Sequence, residues 1–173
     1  MGSDKALVEV AGRPMISWVI ATLGSVADQV VVAGRPGGWD GHPGLADPDG
    51  VTGPLAGLGA SLQLGQPVLL VAVDQPWVRT ATLAKLSSVG ETAVPVHEGT
   101  RQVTCAVYYP NLVPLIANHG SLQALLVEAI PLEITEPVWR SWGEDGRSWF
   151  SVDFVDDVGR GLEQFGAPGE LET

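Results

Sequence analysis

Acidic residues at the ends of predicted strands are the first candidates for chemistry in this chain. Asp74 closes the apolar run PVLLVAV (67–73), and Asp153 lies near the end of FSVDF (150–154). In open α/β sheets, ligands bind beyond the carboxyl ends of the strands. Magnesium is usually held there by one or two carboxylates together with substrate phosphates. The two acids therefore predict a magnesium site, although Asp74 alone is also compatible with a turn residue or helix cap.

A lysine near the N-terminus is the second candidate. The chain opens MGSDKALVEV, in which Lys5 is one of only two lysines and follows Asp4 directly. A lysine that binds phosphate acts as a point charge and needs a partner that holds it in place. Asp4 is the neighbour in sequence that could do so.

The segment GPLAGLGASL (53–62) predicts a helix that something approaches closely. Gly53 and Pro54 form a turn at the start of this helix. Its glycines leave the faces away from the core without side chains, so backbone or a ligand can approach them closely. Tight packing on a sheet and close approach of a ligand both explain such small residues. The loop before it carries Asp47 and Asp49, either of which could bind a base or ribose or simply stabilise a turn.

Strand-like and helix-like segments alternate along the chain. The pattern predicts helices at 14–23, 53–62, 82–89, 122–129 and from 155 to 165, and strands at 29–34, 67–74, 92–96, 103–109 and 148–154. Continuous apolar strands between amphipathic helices predict an α/β fold with a mostly parallel sheet covered on both faces.

Length and composition limit the classes of function. A chain of 173 residues favours one domain, which we place at residues 1–166 with a tail at 167–173. The net charge of −11 argues against nucleic acid as a partner but not against a single nucleotide. No apolar run is long enough to span a bilayer, and no signal peptide is visible. The single cysteine, Cys105, suits a reducing cytoplasm and is expected to pack in an apolar strand.

Taken in order, four segments resemble the MobA-like nucleotidyltransferases, most closely the molybdenum cofactor guanylyltransferases. They are GSDKALVEVAGRPMISWVIATL, ADPDGVTGPLAGLGASL, LLVAVDQPWV and FSVDFVDDVGRGLE. The resemblance covers nearly the whole chain. It implies a three-layer Rossmann-like fold of the nucleotide-diphospho-sugar transferase type. It also implies transfer of GMP from GTP to the phosphate of molybdopterin, with Mg²⁺ as cofactor and release of pyrophosphate.

The resemblance also implies roles for particular residues. Lys5 and Asp74 match the catalytic positions, the lysine on the nucleotide phosphates and the aspartate on the magnesium ion. Asp153 falls near the metal, where the family usually has an asparagine. The expected nucleotide-binding residues are Gly2, Lys5, Asp47, Gly53 and Pro54.

Departures from the family pattern leave alternatives open. Gly34 replaces a frequent asparagine, and QV at 102–103 replaces a more usual polar-Pro pair. The family begins with an apolar strand and an L-A-G-G-x-S-x-R-M-G loop, whereas this sequence starts at the final Met-Gly, so we expect an internal start codon. Without that strand, its two neighbours would lie roughly 10 Å apart with unpaired edges. A cytidylyltransferase, another small-molecule nucleotidyltransferase and a non-catalytic nucleotide-binding relative remain alternatives.

Overall fold

The structure is a computed structural model that describes residues 4–47 and 53–169. The strands are β1 (Glu9–Val10), β2 (Arg13–Pro14), β3 (Val32–Ala33), β4 (Gly44–Leu45), β5 (Val68–Val71), β6 (Ala93–His97), β7 (Thr100–Arg101), β8 (Cys105–Tyr108) and β9 (Leu132–Ile134). The helices are α1 (Met15–Gly24), α2 (Pro54–Leu62), α3 (Thr80–Ser87), α4 (Val113–Ile116), α5 (Leu122–Ala129), α6 (Glu136–Ser141) and α7 (Val155–Phe165).

The largest sheet contains five strands and is mixed. β8 pairs antiparallel with β5 on one side and with β6 on the other, while β9 pairs parallel with β6. β5, β6 and β9 therefore share one direction, and β7 and β8 run against them, so the sheet has fewer parallel pairings than the sequence predicted. The reversal arises at the tight β6–β7 turn, where Glu98 and Gly99 both have positive φ.

Helices cover both faces of this sheet, which confirms the predicted three-layer α/β fold. Alternate residues of β6 and β8 point to opposite faces, as a strand requires. One face packs on α2 and α5 through Leu58, Leu125 and their neighbours. The other packs on α3 and α6 through Leu83, Trp139 and Cys105. Burial raises the pKa of the Cys105 thiol, which fits the expected packing role.

The small residues of α2 mainly permit close packing. A Cβ at Gly57 would lie 2.4 Å from Cβ of Ala33 in β3, and one at Gly59 would lie 3.3 Å from a methyl carbon of Ile116. Real Cβ atoms do not approach a rigid neighbour as closely as the first of these. Of the two explanations for this segment, tight packing on a sheet is the one that the contacts support.

Two predicted strands differ from the structure. Residues 148–154 do not form a strand; Arg147–Trp149 is a 3₁₀ turn and the next residues are extended without a ladder. The amide of Val152 instead donates to the carbonyl of Asp74 at 2.8 Å. The run 29–34 forms only the two-residue strand β3, which pairs with β4 and stands apart from the larger sheet. The elements that were not predicted are β1, β2, β4, β7, β9, α4 and α6.

The predicted tail divides into two parts. Residues 167–169 belong to the described chain, and a Cβ at Gly169 would lie 3.7 Å from the Trp18 ring. Residues 170–173 lie outside the described residues. Nowhere in the described ranges does a helix have the length and apolar character needed to cross a membrane.

Two glycines of α7 provide a matched test of packing. A Cβ at Gly161 would lie 2.2 Å from the Trp77 ring, whereas nothing lies within 4 Å of one at Gly159. We expect Gly161→Ala to lower the free energy of unfolding by about 1–3 kcal/mol because the added methyl overpacks this contact. Gly159→Ala should leave stability unchanged or raise it by up to about 1 kcal/mol, because alanine favours a helix. Urea denaturation of both variants measures the difference, and equal stability would contradict the contact.

Candidate functional site

Three residues predicted from the sequence meet at one point beyond the end of β5. Nζ of Lys5 lies 2.8 Å from Oδ2 of Asp74 and 2.9 Å from Oδ1 of Asp153. These residues are 69 and 148 positions apart from Lys5 in the chain. We call them the Lys5 cluster. The fold thus joins Asp74 at the end of β5, Asp153 in the extended segment before α7 and the N-terminal lysine in a single site.

The electrostatics of the cluster keep Lys5 charged. Partial burial by itself would lower the pKa of the ammonium. The hydrogen bonds from Asp74 and Asp153, together with their negative charges, outweigh that effect and raise the pKa above its ordinary value. The side chains of Lys5, Asp74 and Asp153 remain 29%, 23% and 61% exposed, so a ligand can reach the cluster from solvent.

Asp4 does not hold the Lys5 ammonium, contrary to the possibility drawn from their adjacency. Its carboxylate accepts a hydrogen bond from the amide of Ala6 at 3.1 Å and pairs with Arg35. It therefore caps the 3₁₀ turn Lys5–Leu7. Ala6 is buried against α1 and β3, so the turn is fixed and Lys5 points to the acids. Neither Arg35 nor this geometry was predicted.

The second acid, Asp153, is positioned by Asp157. The carboxylate of Asp157, in the first turn of α7, accepts hydrogen bonds from the amides of Asp153 and Phe154 at 2.8 and 2.7 Å. These bonds, with that from Val152 to the Asp74 carbonyl, fix the backbone that carries Asp153 next to β5. Accepting the Phe154 amide, and pairing with Arg160, lowers the pKa of Asp157.

The remaining predicted residues lie beside the same opening. Asp47, Gly53 and Pro54 line a cavity of about 810 Å³ whose lining also includes Asp74. A Cβ at Gly34 would lie 3.8 Å from Oδ1 of Asp47, so this acid stands at the end of β3. Gly53, with φ 74°, precedes α2, and Pro54 occupies its first turn. Gly2 lies outside the described residues.

The donor set suits a hard divalent cation. Asp74 and Asp153 both direct a carboxylate oxygen to one ammonium, so the pair encloses a single cation-binding point. Within residues 4–47 and 53–169, no group of three or more His, Cys, Asp or Glu side chains could hold a metal. Two carboxylates suffice for Mg²⁺ when substrate phosphates complete its ligands, so the residues present fit this ion.

Fold and site together define an α/β protein in which two neighbouring carboxylates and a lysine suit phosphate chemistry. Residues 1–129 match the family described as MobA-like NTP transferase domain. The match spans well over half of the chain, and the chain belongs to this family of nucleotidyltransferases.

Two curated relatives carry molybdenum cofactor names. A molybdenum cofactor guanylyltransferase of Cereibacter sphaeroides is 34% identical over 110 residues, 59% of this chain and 57% of the relative. A molybdenum cofactor biosynthesis bifunctional protein of Synechocystis is 28% identical over 131 residues, 68% of this chain and 38% of the relative. The chain thus spans less than two thirds of the length of either relative.

Solved structures share the fold. Molybdopterin-guanine dinucleotide biosynthesis protein A of Archaeoglobus fulgidus aligns with a TM-score of 0.78 at 20% identity, covering 94% of this chain and 90% of that one. A Mycobacterium tuberculosis protein solved in complex with manganese aligns with a TM-score of 0.67 at 18% identity, covering 94% and 93% of the two chains.

Proposed function

We propose that this protein transfers GMP from GTP to the phosphate of molybdopterin and releases pyrophosphate, in molybdenum cofactor biosynthesis. The observation that carries the proposal is the Lys5 cluster, in which one lysine and two acids converge beyond a strand end. The family membership and the names of both relatives support the choice of substrates. We also infer a cytoplasmic setting, supported by the single buried cysteine.

The proposed reaction requires the negative charges of the two phosphates to be neutralised. One phosphate must approach another, and the two anions repel each other unless nearby groups neutralise and align them. Lys5 supplies a cation whose raised pKa keeps it protonated at neutral pH. The ammonium of Lys5 would exchange its contact with one of the two carboxylates for a contact with the nucleotide phosphates. The turn that Asp4 caps limits how far Lys5 moves. No side-chain nucleophile is required.

Asp74 and Asp153 would hold Mg²⁺ through their carboxylate oxygens. When bound, the ion would neutralise negative charge on the phosphates. Asp74 is the more rigid of the two, because its backbone carbonyl is fixed by Val152 and its side chain is the less exposed.

The nucleoside would lie against the cavity residues at the ends of β3 and α2. Asp47 presents a carboxylate that can accept hydrogen bonds from a guanine or a ribose, and Gly34 beside it leaves room for the ligand. The N-terminus of α2 carries no side-chain cap and suits a phosphate, because helix N-termini attract anions.

The proposal is tested by titrating the protein with GTP, CTP and UTP in the presence of Mg²⁺ and by measuring pyrophosphate release with molybdopterin. We expect GTP to bind most tightly and to be the substrate that releases pyrophosphate. Tighter binding and turnover of CTP would replace the proposal with the cytidylyltransferase alternative. Pyrophosphate release with a sugar phosphate or a phosphorylated acid, and not with molybdopterin, would assign a different acceptor substrate.

A non-catalytic nucleotide-binding role is the second candidate. The observation that favours it is the position of Asp153, which puts a second negative charge on Lys5 where the family usually has a neutral asparagine. Nucleotide binding without pyrophosphate release would support this role. Asp153→Asn should then raise turnover, because it restores the family residue and frees Lys5.

A further inference from the structure

Arg35 connects the loop after β3 to the turn that carries Lys5. One guanidinium nitrogen, Nη2, lies 2.5 Å from Oδ2 of Asp4. The other carboxylate oxygen of Asp4 accepts a hydrogen bond from the amide of Ala6 at 3.1 Å and so caps the 3₁₀ turn. Because each oxygen of Asp4 has its own partner, one carboxylate serves both as the cap and as the link to Arg35.

Trp39 holds the guanidinium of Arg35 in place. The central carbon of the guanidinium, Cζ, lies 5.1 Å from the centre of the Trp39 ring, a distance typical of a cation–π contact. The indole N–H of Trp39 donates to Oγ of Ser17 in α1 at 3.1 Å. The ring also packs against the apolar cluster that contains Ala6 and Ile16. The ring that supports Arg35 and the turn that Arg35 contacts therefore pack on the same part of the core.

The loop that carries both side chains has a well-defined backbone. We call residues 35–45 the Trp39 loop. Trp39 and His42 exchange two backbone hydrogen bonds, of 3.0 and 2.8 Å, across a tight turn whose two central residues have positive φ. The amide of Gly38 donates to the carbonyl of Arg35 at 2.8 Å. A loop bonded in this way can keep a guanidinium at one position.

We propose that Arg35 is a positioning residue for Lys5. By holding the carboxylate of Asp4, it fixes the orientation of the capped turn, and the turn directs the Lys5 ammonium to Asp74. The turn contains only three residues. Hydrogen bonds within so short a 3₁₀ turn have poor geometry, so its orientation depends on contacts outside it. The inference rests on the role that the proposed function gives to Lys5.

The expected effect of Arg35 is on the placement of Lys5 and not on the stability of the fold. The side chains of Arg35 and Asp4 are 30% and 44% exposed, and exposed ion pairs contribute little to stability. The rate of a reaction is more sensitive, because a displacement of about 1 Å at a reacting group can lower it by about 100-fold. Turnover and local mobility are therefore the quantities to measure.

Arg35→Ala and Arg13→Ala form a matched pair of variants. Arg13 also stacks on a tryptophan, with its Cζ 4.8 Å from the centre of the Trp18 ring. Within residues 4–47 and 53–169, however, Arg13 forms no ion pair. Each variant removes one positive charge and one cation–π contact, but only Arg35→Ala removes the contact with Asp4.

Nuclear magnetic resonance relaxation of the backbone amides of Lys5 and Ala6, without nucleotide, is the first measurement. We expect their order parameters to fall from about 0.85, the value of a rigid backbone, to about 0.6 in Arg35→Ala and to stay unchanged in Arg13→Ala. This measurement does not depend on the substrate, so its failure is distinct from failure of the proposed function. Rigid amides at both positions in Arg35→Ala would overturn the proposal.

Turnover tests whether Arg35 acts through Lys5. We expect Arg35→Ala to lower kcat for pyrophosphate release from GTP by about tenfold, whereas Arg13→Ala should leave it unchanged. Added to Lys5→Ala, the Arg35→Ala change should cause no further loss, because the side chain that Arg35 positions is already absent. A further tenfold loss in the double variant would overturn the proposal and indicate that Arg35 contacts the substrate itself.

Asp4→Ser separates the cap from the link to Arg35. Serine also caps helices through its side-chain oxygen, but it is shorter and carries no charge that pairs with Arg35. We expect this variant to reproduce the mobility of the Lys5 and Ala6 amides seen in Arg35→Ala. Order parameters near about 0.85 in Asp4→Ser would show that the cap alone fixes the turn, and would overturn the role of Arg35.

Discussion

Lys5→Ala is expected to lower pyrophosphate release from GTP by about 100-fold or more, because it removes a cation placed at the point where phosphate charge develops. The contacts of Lys5 explain why the effect should be large. Nζ of Lys5 is within 3.0 Å of both Asp74 and Asp153, and its loss leaves two carboxylates facing each other where an anionic substrate must bind. The affinity for GTP should fall with turnover.

Lys85→Ala is the matched control, because Lys85 is the only other lysine and lies exposed in the last turn of α3. It removes the same charge from the chain and should leave turnover and GTP affinity unchanged. Steady-state kinetics and calorimetry on both variants separate a local effect of Lys5 from a general effect of net charge. Equal turnover in the wild type and in Lys5→Ala would contradict a catalytic role for Lys5.

Glu144→Ala is expected to destabilise the protein by about 3 kcal/mol or more, because its carboxylate accepts five hydrogen bonds, three of them from buried groups. Glu144 is 3% exposed. It accepts hydrogen bonds from the hydroxyl groups of Thr82 and Ser148 and from the amides of Asp145, Gly146 and Ser148. Removing the carboxylate leaves the buried donors of Thr82 and Ser148 without a partner and releases the turn between α6 and the 3₁₀ turn at 147–149.

Glu136→Ala serves as the control for this substitution. Glu136 forms an exposed ion pair with Arg140 within α6, and such pairs contribute about 1 kcal/mol or less. Guanidinium denaturation of both variants gives the two changes in the free energy of unfolding. A loss for Glu144→Ala no larger than that for Glu136→Ala would show that the buried hydrogen bonds are replaced by water.

The two expected results connect stability to the site. The hydroxyl group of Ser148, which donates to Glu144, also accepts a hydrogen bond from the amide of Arg79 at 3.0 Å. This contact connects the segment after Asp74 to the segment before Asp153. The same two segments meet again where Val152 bonds to the Asp74 carbonyl. The backbone that holds both acids is thus braced from two directions, and Glu144 supports it without contacting a ligand.

Local sequence patterns predicted most elements because each depends on neighbours in the chain. The apolar spacing in α1 and α5 was readable without tertiary information. The aspartate at the end of β5 and the lysine at position 5 were likewise visible as isolated candidates. Their order along the chain carried the resemblance to the family that residues 1–129 match.

The tertiary structure decided which candidates meet and which partners they take. Lys5 binds acids 69 and 148 positions away and not its neighbour Asp4, because the buried Ala6 and the Asp4 cap orient the turn. FSVDF failed as a strand because its amides bond to Asp157 and to the Asp74 carbonyl and form no ladder. Contacts of this kind are long-range, and hydrophobic periodicity carries no record of them. The sequence therefore determined most of the helices, the longer strands and the residues capable of chemistry, whereas packing alone determined which of those residues form the site.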